Sequence, residues 1–390
     1  MDTPQYSHVL AALSDVPDPR QRRGQRYPWP VLLTVIAAAL VSGQQGLRAI
    51  AQWVGEHAEE LGPLVGLSPG RVPSAATLRR AVRAVDVAAL EERLARFVAE
   101  LPIPAPDLPA VSPTPPVPSR WVGYAIDGKA VRGANRHGAH VHLVSLVRHA
   151  DGRVLGQVAV ADKSNEIAAA PRLLARRPLA GTVTTMDALL TQRELAAQIR
   201  AQGGHYLMVV KANQPELLAA IDCLFTTPPP PAPTDDAAWV TTCDKGHGRL
   251  EIRTLERSAA LNDYLAWPDV GQVLRRTCQR VELTTGVIAE ETTYGVTSLP
   301  STASAAEIEG VWRGHWTIEN KVHHVRDGTF GEDASQIRAG RAPQALAALR
   351  NGLLSLLRVL GWTNIADAVR HYAAFAHRAI RLLSTAPTRL

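Results

Sequence analysis

The sequence predicts an α/β fold: a mixed sheet with flanking helices and a β-rich insertion, preceded by a small all-helical N-terminal domain. Three observations carry that expectation. Apolar residues recur at helical spacing through the first hundred positions. A proline-dense stretch then interrupts all regular structure. Beyond it, β-prone runs alternate with helical segments.

Within residues 1–101 the helical pattern runs through VLLTVIAAALV, LRAIAQWVGEHAEEL and ATLRRAVRAVDVAALEERLARFVAEL, with Ser74 placed to cap the third. Residues 102–120, PIPAPDLPAVSPTPPVPSR, hold too many prolines for a helix or a central strand and read as a semi-rigid linker. The strands expected next are WVGYAID, VHLVSLVRH and RVLGQVAVA, separated by the turn-forming GANRHGAH and ADGR. A helix (EIAAAPRLLARR), a strand (GTVTTMD), a helix (TQRELAAQIRAQG) and a strand (HYLMVVKA) come after them. The proline run Pro228–Thr234 opens the β-rich insertion, over about 228–303, with KGHGRLEIRTLE and YGVTSL as strands. From Ser304 helices return. Positions 311–326 read as one of them, with Val311, Ile318, Val322 and Val325 as its apolar stripe.

A chain of 390 residues with 46% hydrophobic and 20% charged residues can bury a sizeable core and suggests more than one domain. The formal charge is +6 and the isoelectric point about 9.5, a modest excess that is compatible with a nucleic-acid partner. Its distribution says more. From Ala334 onward there are eight Arg and one Asp with no Lys or Glu, whereas the eleven Arg of residues 1–100 are nearly cancelled by ten acids. Cys223, Cys243 and Cys278 lie far apart with no CxxC pair, which argues against a disulfide framework and fits a reducing compartment. The apolar run Val31–Val41 is too short to span a bilayer and is expected as a buried helix, so a cytoplasmic protein without a membrane partner is expected.

Three acids stand out. Asp127 in YAIDGKAVRG and Asp187 in TVTTMDALLTQ each close a β-prone apolar run, and Glu319 lies in the helical RGHWTIENKVHH. Gaps of 60 and 132 residues separate them, so only tertiary folding could unite them. Two carboxylates about 4 Å apart repel by roughly 4 kcal/mol at an effective dielectric near 20. A cluster of three therefore needs cations, and hard oxygen ligands suit Mg²⁺ or Mn²⁺. Taken singly, an acid at a strand end is usually a turn residue or a cap. On a regular helix, Trp312, His315, His323 and Arg326 would share the face of Glu319, a grouping suited to bases and phosphates.

The blocks AIDGKAVRG, DKSNEI, TTMDALLTQ, YLMVVKANQ, GHGRLEIR, HWTIEN and DGTFGEDASQIR occur in that order. Together they resemble the DDE transposases of bacterial insertion sequences, in the group named ISAs-one within the retroviral-integrase superfamily. DPRQRRGQRYP through TLRRAV resembles that group's associated N-terminal domain. The resemblance implies a ribonuclease H-like catalytic domain over 121–390 with a basic helical tail. It implies Asp127, Asp187 and Glu319 as catalytic and metal-binding triad, two Mg²⁺ or Mn²⁺ ions per site, and double-stranded DNA as partner, both element ends and target. It further implies a homodimer in the synaptic complex, and a prokaryotic protein associated with the nucleoid when bound to DNA. The related branch often places Tyr, Arg and Lys around its glutamate, where this chain has Trp312, His315 and Arg326. A metal-dependent nuclease of the same fold and an inactive DNA-binding relic are the alternatives.

Other polar residues in these blocks are candidates for DNA contact or for support of the triad: Lys129, Lys163, Asn165, Lys211, Asn213, Gln214, Arg249, Trp316 and Asn320. Each has a structural reading too. Asn165 and Asn213 are good helix caps, and Arg249 sits at a hairpin tip. His315, His323 and His324 lack the cysteine partners or third well-spaced ligand that a zinc site needs.

Overall fold

The computed structural model describes residues 9–67, 70–102, 120–136, 139–160, 166–175, 177–227, 239–246 and 248–384. The expected linker, apart from Pro102 and Arg120, lies outside them, as do the proline run Pro228–Thr234, Lys163 and Asn165.

Among the described residues six α-helices come first: α1 (Val9–Ser14), α2 (Trp29–Val41), α3 (Leu47–Glu56), α4 (Ala58–Val65), α5 (Ala75–Ala84) and α6 (Val87–Glu100). Then β1 (Val122–Arg136), β2 (Ala139–Arg148), β3 (Val154–Val160), α7 (Glu166–Leu174), β4 (Thr182–Met186), α8 (Arg193–Ala201) and β5 (His205–Val210) appear in the expected order. They lead into α9 (Pro215–Thr226), then β6 (Trp239–Gly246), β7 (Arg249–Ser258), β8 (Gln272–Glu282) and β9 (Ile288–Thr297). The last segment holds α10 (Ala305–Gly314), a π-helical turn (Glu319–His323), α11 (His324–Gly328), α12 (Ala342–Val359), α13 (Ile365–Ala374) and α14 (Ala376–Ser384).

Two compact units divide the chain, and β1 runs through both. The first comprises residues 1–105, 128–165 and 318–390. Three of its helices begin where a side chain satisfies a free amide of the first turn. Ser74 Oγ accepts from Thr77 N at 3.3 Å, as expected, and Asp86 and Asn364 cap α6 and α13. The apolar α2 is buried from Val31 to Val41, and α12 is buried along most of its length. α12 packs on α6, α2 and β3, while α14 packs on α2 and α4. The later half of β1 neighbours β2, which pairs antiparallel with β3 from His142↔Val160 to Val147↔Val154.

The second unit, residues 106–127 and 166–317, is a mixed sheet in the order β1-β4-β5-β9-β8-β7-β6. β1, β4 and β5 are parallel, and every residue of β4 is buried, as strands covered on both faces require. From β9 outward all pairings are antiparallel. A capping box, Ser304 with Glu307, starts α10, which packs on β6 and β7. Arg276 and Glu309 form a buried two-pronged ion pair between β8 and α10.

Two expectations fail. β1 does not close at Asp127 but runs on to Arg136 as the neighbour of β2, so Asp127 lies within the strand. Residues 311–326 are not a continuous α-helix: α10 ends at Gly314, and His315 and Trp316 form a turn with three-residue hydrogen bonds to Trp312 and Arg313. After Ile318 the backbone widens into the π-helical turn. Glycine is a poor helix former, and both departures shift the angular phase of the residues beyond them.

Candidate active site

In the second unit, β1 and β4 are in parallel register with Ile126 opposite Met186. Asp127, the next residue of β1, and Asp187, the first residue after β4, follow that pair on neighbouring strands, whose usual spacing is about 4.8 Å. Both are half-buried. Asp187 Oδ1 accepts from the amide of Leu190 at 3.2 Å, so its side chain also closes the turn after β4. The turn is pinned from beneath. Buried Thr191 lies 3.1 Å from the carbonyl of Asp187 and 2.5 Å from that of Val209, and Gln214 donates to the carbonyl of Thr191 at 2.9 Å. Asn213 donates to the carbonyl of Ala188 at 2.6 Å. Asn213 and Gln214 thus brace the loop that carries Asp187, whereas Lys211 is exposed.

His315 is held in the same unit. Its Nδ1 lies 3.0 Å from Thr185 Oγ1, two residues before Asp187 on β4 and so on the same side of that strand. Trp312 is only 5% exposed, and its ring presses on β9 so closely that a Cβ at Gly295 would lie 2.7 Å away. Trp316 is 53% exposed. Arg249 is exposed and pairs with Glu251 at 2.7 Å.

In the first unit, Glu319 opens the π-helical turn and His323 closes it. His323 Nδ1 donates to Glu319 Oε2 at 3.0 Å. That bond, helped by the charge of Lys129, holds the glutamate's carboxyl below its usual range against partial burial. Burial drives the pKa of His323 down despite the glutamate, favouring the neutral ring. Asn320 beside them is exposed.

Lys129 lies two residues beyond Asp127 on β1 and is 7% exposed. Its Nζ sits 2.7 Å from Asp327 and 3.6 Å from Asp333. Burial raises the pKa of Asp327, and Lys129 opposes the rise. Next to this pair is a fully buried triad: Arg326 Nε donates to Glu332 at 2.9 Å and Arg350 Nη1 at 3.1 Å. Burial pushes the carboxyl of Glu332 up, yet the two guanidiniums hold it below the ordinary value. The segment 332–338 is clamped on β1 here, with the Arg132 amide donating to Asp333 at 3.0 Å and Arg338 Nε to the Gly133 carbonyl at 3.2 Å. The contact needs glycine, since a Cβ at Gly133 would sit 2.3 Å from the carbonyl oxygen of Ser335.

The expected DNA-touching face around Glu319 is corrected by these contacts. Trp312, His323 and Arg326 are buried, and Arg326 is spent on Glu332. The reasons are the packing of Trp312 on β9, the broken helical phase, and a carboxylate, Glu332, six residues beyond Arg326. Residue spacing also gives no sign of Thr185, Thr191, Asp327, Glu332 and Asp333, although DGTFGEDASQIR carries the last three.

Carboxylates carried by neighbouring parallel strands are oxygen donors of the kind that suits a hard divalent cation. The transposase DDE domain family matches residues 111–356, and its associated N-terminal family matches residues 10–98. The chain belongs to the transposase DDE domain family and is a DNA transposase. The H repeat-associated protein YhhI of Escherichia coli K12, provisionally named a transposase, is 27% identical over 360 residues, 90% of each chain. YncI of Escherichia coli O157:H7, also provisionally named a transposase, is 28% identical over 90% of this chain and 87% of its own. A piggyBac transposase synaptic complex with hairpin DNA has a TM-score of 0.43 at 10% identity, covering 97% of this chain and 80% of that one. Among the described residues no helix is long and apolar enough to cross a membrane.

Proposed function

We propose that Asp127, Asp187 and Glu319 form the catalytic triad of a ribonuclease H-like domain that hydrolyses the phosphodiester at the element's ends and then joins the freed 3′-hydroxyl to target DNA. The observation that carries this reading is the pairing of Ile126 with Met186, which brings Asp127 and Asp187 abreast. Chain continuity supports Glu319 as the third member. It comes four residues after His315, which is tethered beside Asp187, and it feels the charge of Lys129, two residues from Asp127. The succession β1-β2-β3-α7-β4-α8-β5, with parallel β1, β4 and β5, supports the domain type.

The donors fit a hard divalent cation. Asp127, Asp187 and Glu319 carry the carboxylate oxygens such an ion takes, and neighbouring carboxylates such as Asp127 and Asp187 need positive charge between them. Bound Mg²⁺ or Mn²⁺, two ions per site, would supply polarisation of the attacking and leaving oxygens. The chain's own residues do the positioning. Leu190 N and Thr191 fix the Asp187 turn, His323 keeps Glu319 ionised and oriented, and Lys129 offsets the accumulated negative charge. Lys211, Arg249, Trp316 and Asn320 are exposed and available to DNA. Two ends must be held together for transposition, so a homodimer is the working assembly.

The test incubates the protein with duplexes bearing its element's ends, Mg²⁺ and a target plasmid. Joined products are expected, and EDTA should abolish cutting while leaving DNA binding largely intact. Metal-independent cutting, or cuts without any joining, would contradict the proposal.

A further inference from the structure

A second feature of the first unit is a basic groove. The start of α3, the exposed face of α5 and the segment 334–342 enclose an open groove of about 560 Å³. Arg48, Arg79, Arg83 and Arg338 line it, and all four are exposed. No acid is among its lining residues. Among the described residues, none of the guanidiniums of Arg48, Arg79 and Arg83 has a hydrogen-bond or ion-pair partner, whereas Arg93, Arg96 and Arg370 of the same unit all pair with carboxylates. Four cations gathered around one groove repel, and the cost is relieved by an anion. Helix α3 also starts at this groove, at Leu47, without a side-chain cap, so its free amides add positive potential.

We infer that this groove binds the sugar–phosphate backbone of duplex DNA and sets the duplex relative to β1. Arg79 and Arg83, four residues apart on α5, are separated by about 6 Å along the helix axis. That separation is on the scale of the phosphate rise of about 3.4 Å per nucleotide of one strand. The far wall is not a free loop. Segment 332–338 is bound to β1 through Asp333, the Gly133 contact and the Arg338–Gly133 bond, so a phosphate held by Arg338 is indexed to the strand that carries Asp127. Guanidiniums on phosphates position a duplex without reading its sequence. The inference rests on the transposase reading and adds the surface that orients its substrate.

The test measures DNA affinity against salt for Arg79→Gln/Arg83→Gln in an Asp127→Asn background, with an element-end duplex and a random duplex. Each phosphate contact contributes about 0.9 to the slope of log affinity on log salt, so the slope should fall by about 1.8 for both duplexes. Between 50 and 200 mM salt the parent should therefore lose about 12-fold more affinity than the variant. Arg370→Gln, an exposed arginine paired with Asp367, should leave the slope unchanged. A parent that binds DNA while the double variant keeps its full slope, or an equal drop in Arg370→Gln, overturns the groove and leaves the transposase reading standing. A parent with no salt-dependent DNA binding overturns both.

Discussion

Replacing Glu332 with glutamine leaves two buried guanidiniums without their shared carboxylate. Arg326, Glu332 and Arg350 are 0%, 0% and 1% exposed, so water cannot take over the lost charge. Breaking a buried ion pair by removing one partner costs about 3–5 kcal/mol, and here one anion serves two cations. A loss of that size raises the unfolding equilibrium constant by about a hundred- to several-thousand-fold. With a denaturant dependence of about 2 kcal/mol per molar urea, the unfolding midpoint should drop by about 2 M, read by circular dichroism. A cycle with Arg350→Met isolates the cause: the double variant should be more stable than Glu332→Gln alone by about 1 kcal/mol or more. The depressed carboxyl of Glu332 sets the sign with pH. Its contribution is complete above the ordinary carboxylate value of 4.5 and is lost as pH falls through the lower folded value, so parent and variant should converge in acid. A midpoint shift below about 0.5 M at pH 7 would refute the reasoning.

Two more outcomes are expected of the same unit. Glu91 accepts from Gln157 and Gln344 at 2.8 Å each, and burial pushes its carboxyl up to about 7. A raised acid stabilises below its unfolded value and loses that stability as pH rises through the folded one. Glu91→Gln should therefore gain about 1–3 kcal/mol at pH 8 and nothing at pH 4, measured by urea unfolding at both values. Gly133→Ala should lower stability by about 1–3 kcal/mol, because its Cβ would displace segment 332–335 from β1; a thermal midpoint unchanged within a degree would contradict that contact.

Much of the fold is legible in local patterns. Ser74 caps α5 as its position implies, and the β-branched run TVTTM is a buried strand with Asp187 directly after it. Strand order along the chain is set by runs and turns, so Asp187 can be placed at a strand end without a structure, whereas Asp127 lies inside β1, which runs on to Arg136. The surroundings of Glu319 cannot be placed that way. Apolar periodicity does not reveal that α10 ends at Gly314 or that Glu319–His323 takes a π-helical turn, because the apolar stripe Val311, Ile318, Val322 and Val325 reads the same through both. Nor does a charge announce its partner. In sequence Arg326 and Lys129 have the character of phosphate ligands, yet in the fold Glu332, Asp327 and Asp333 lie against them. Amphipathic spacing likewise marks the buried face of α6 but not that α12 and β3 cover it.

The most direct measurement is end cleavage in Mg²⁺ by Asp127→Asn, Asp187→Asn and Glu319→Gln, each scored beside DNA binding by the same preparation. All three should lose cleavage by about a thousandfold or more while binding DNA within a few-fold of the parent, the pattern expected when electrostatic groups at the reacting phosphate are removed. Cleavage retained within tenfold by any one of them would contradict the triad.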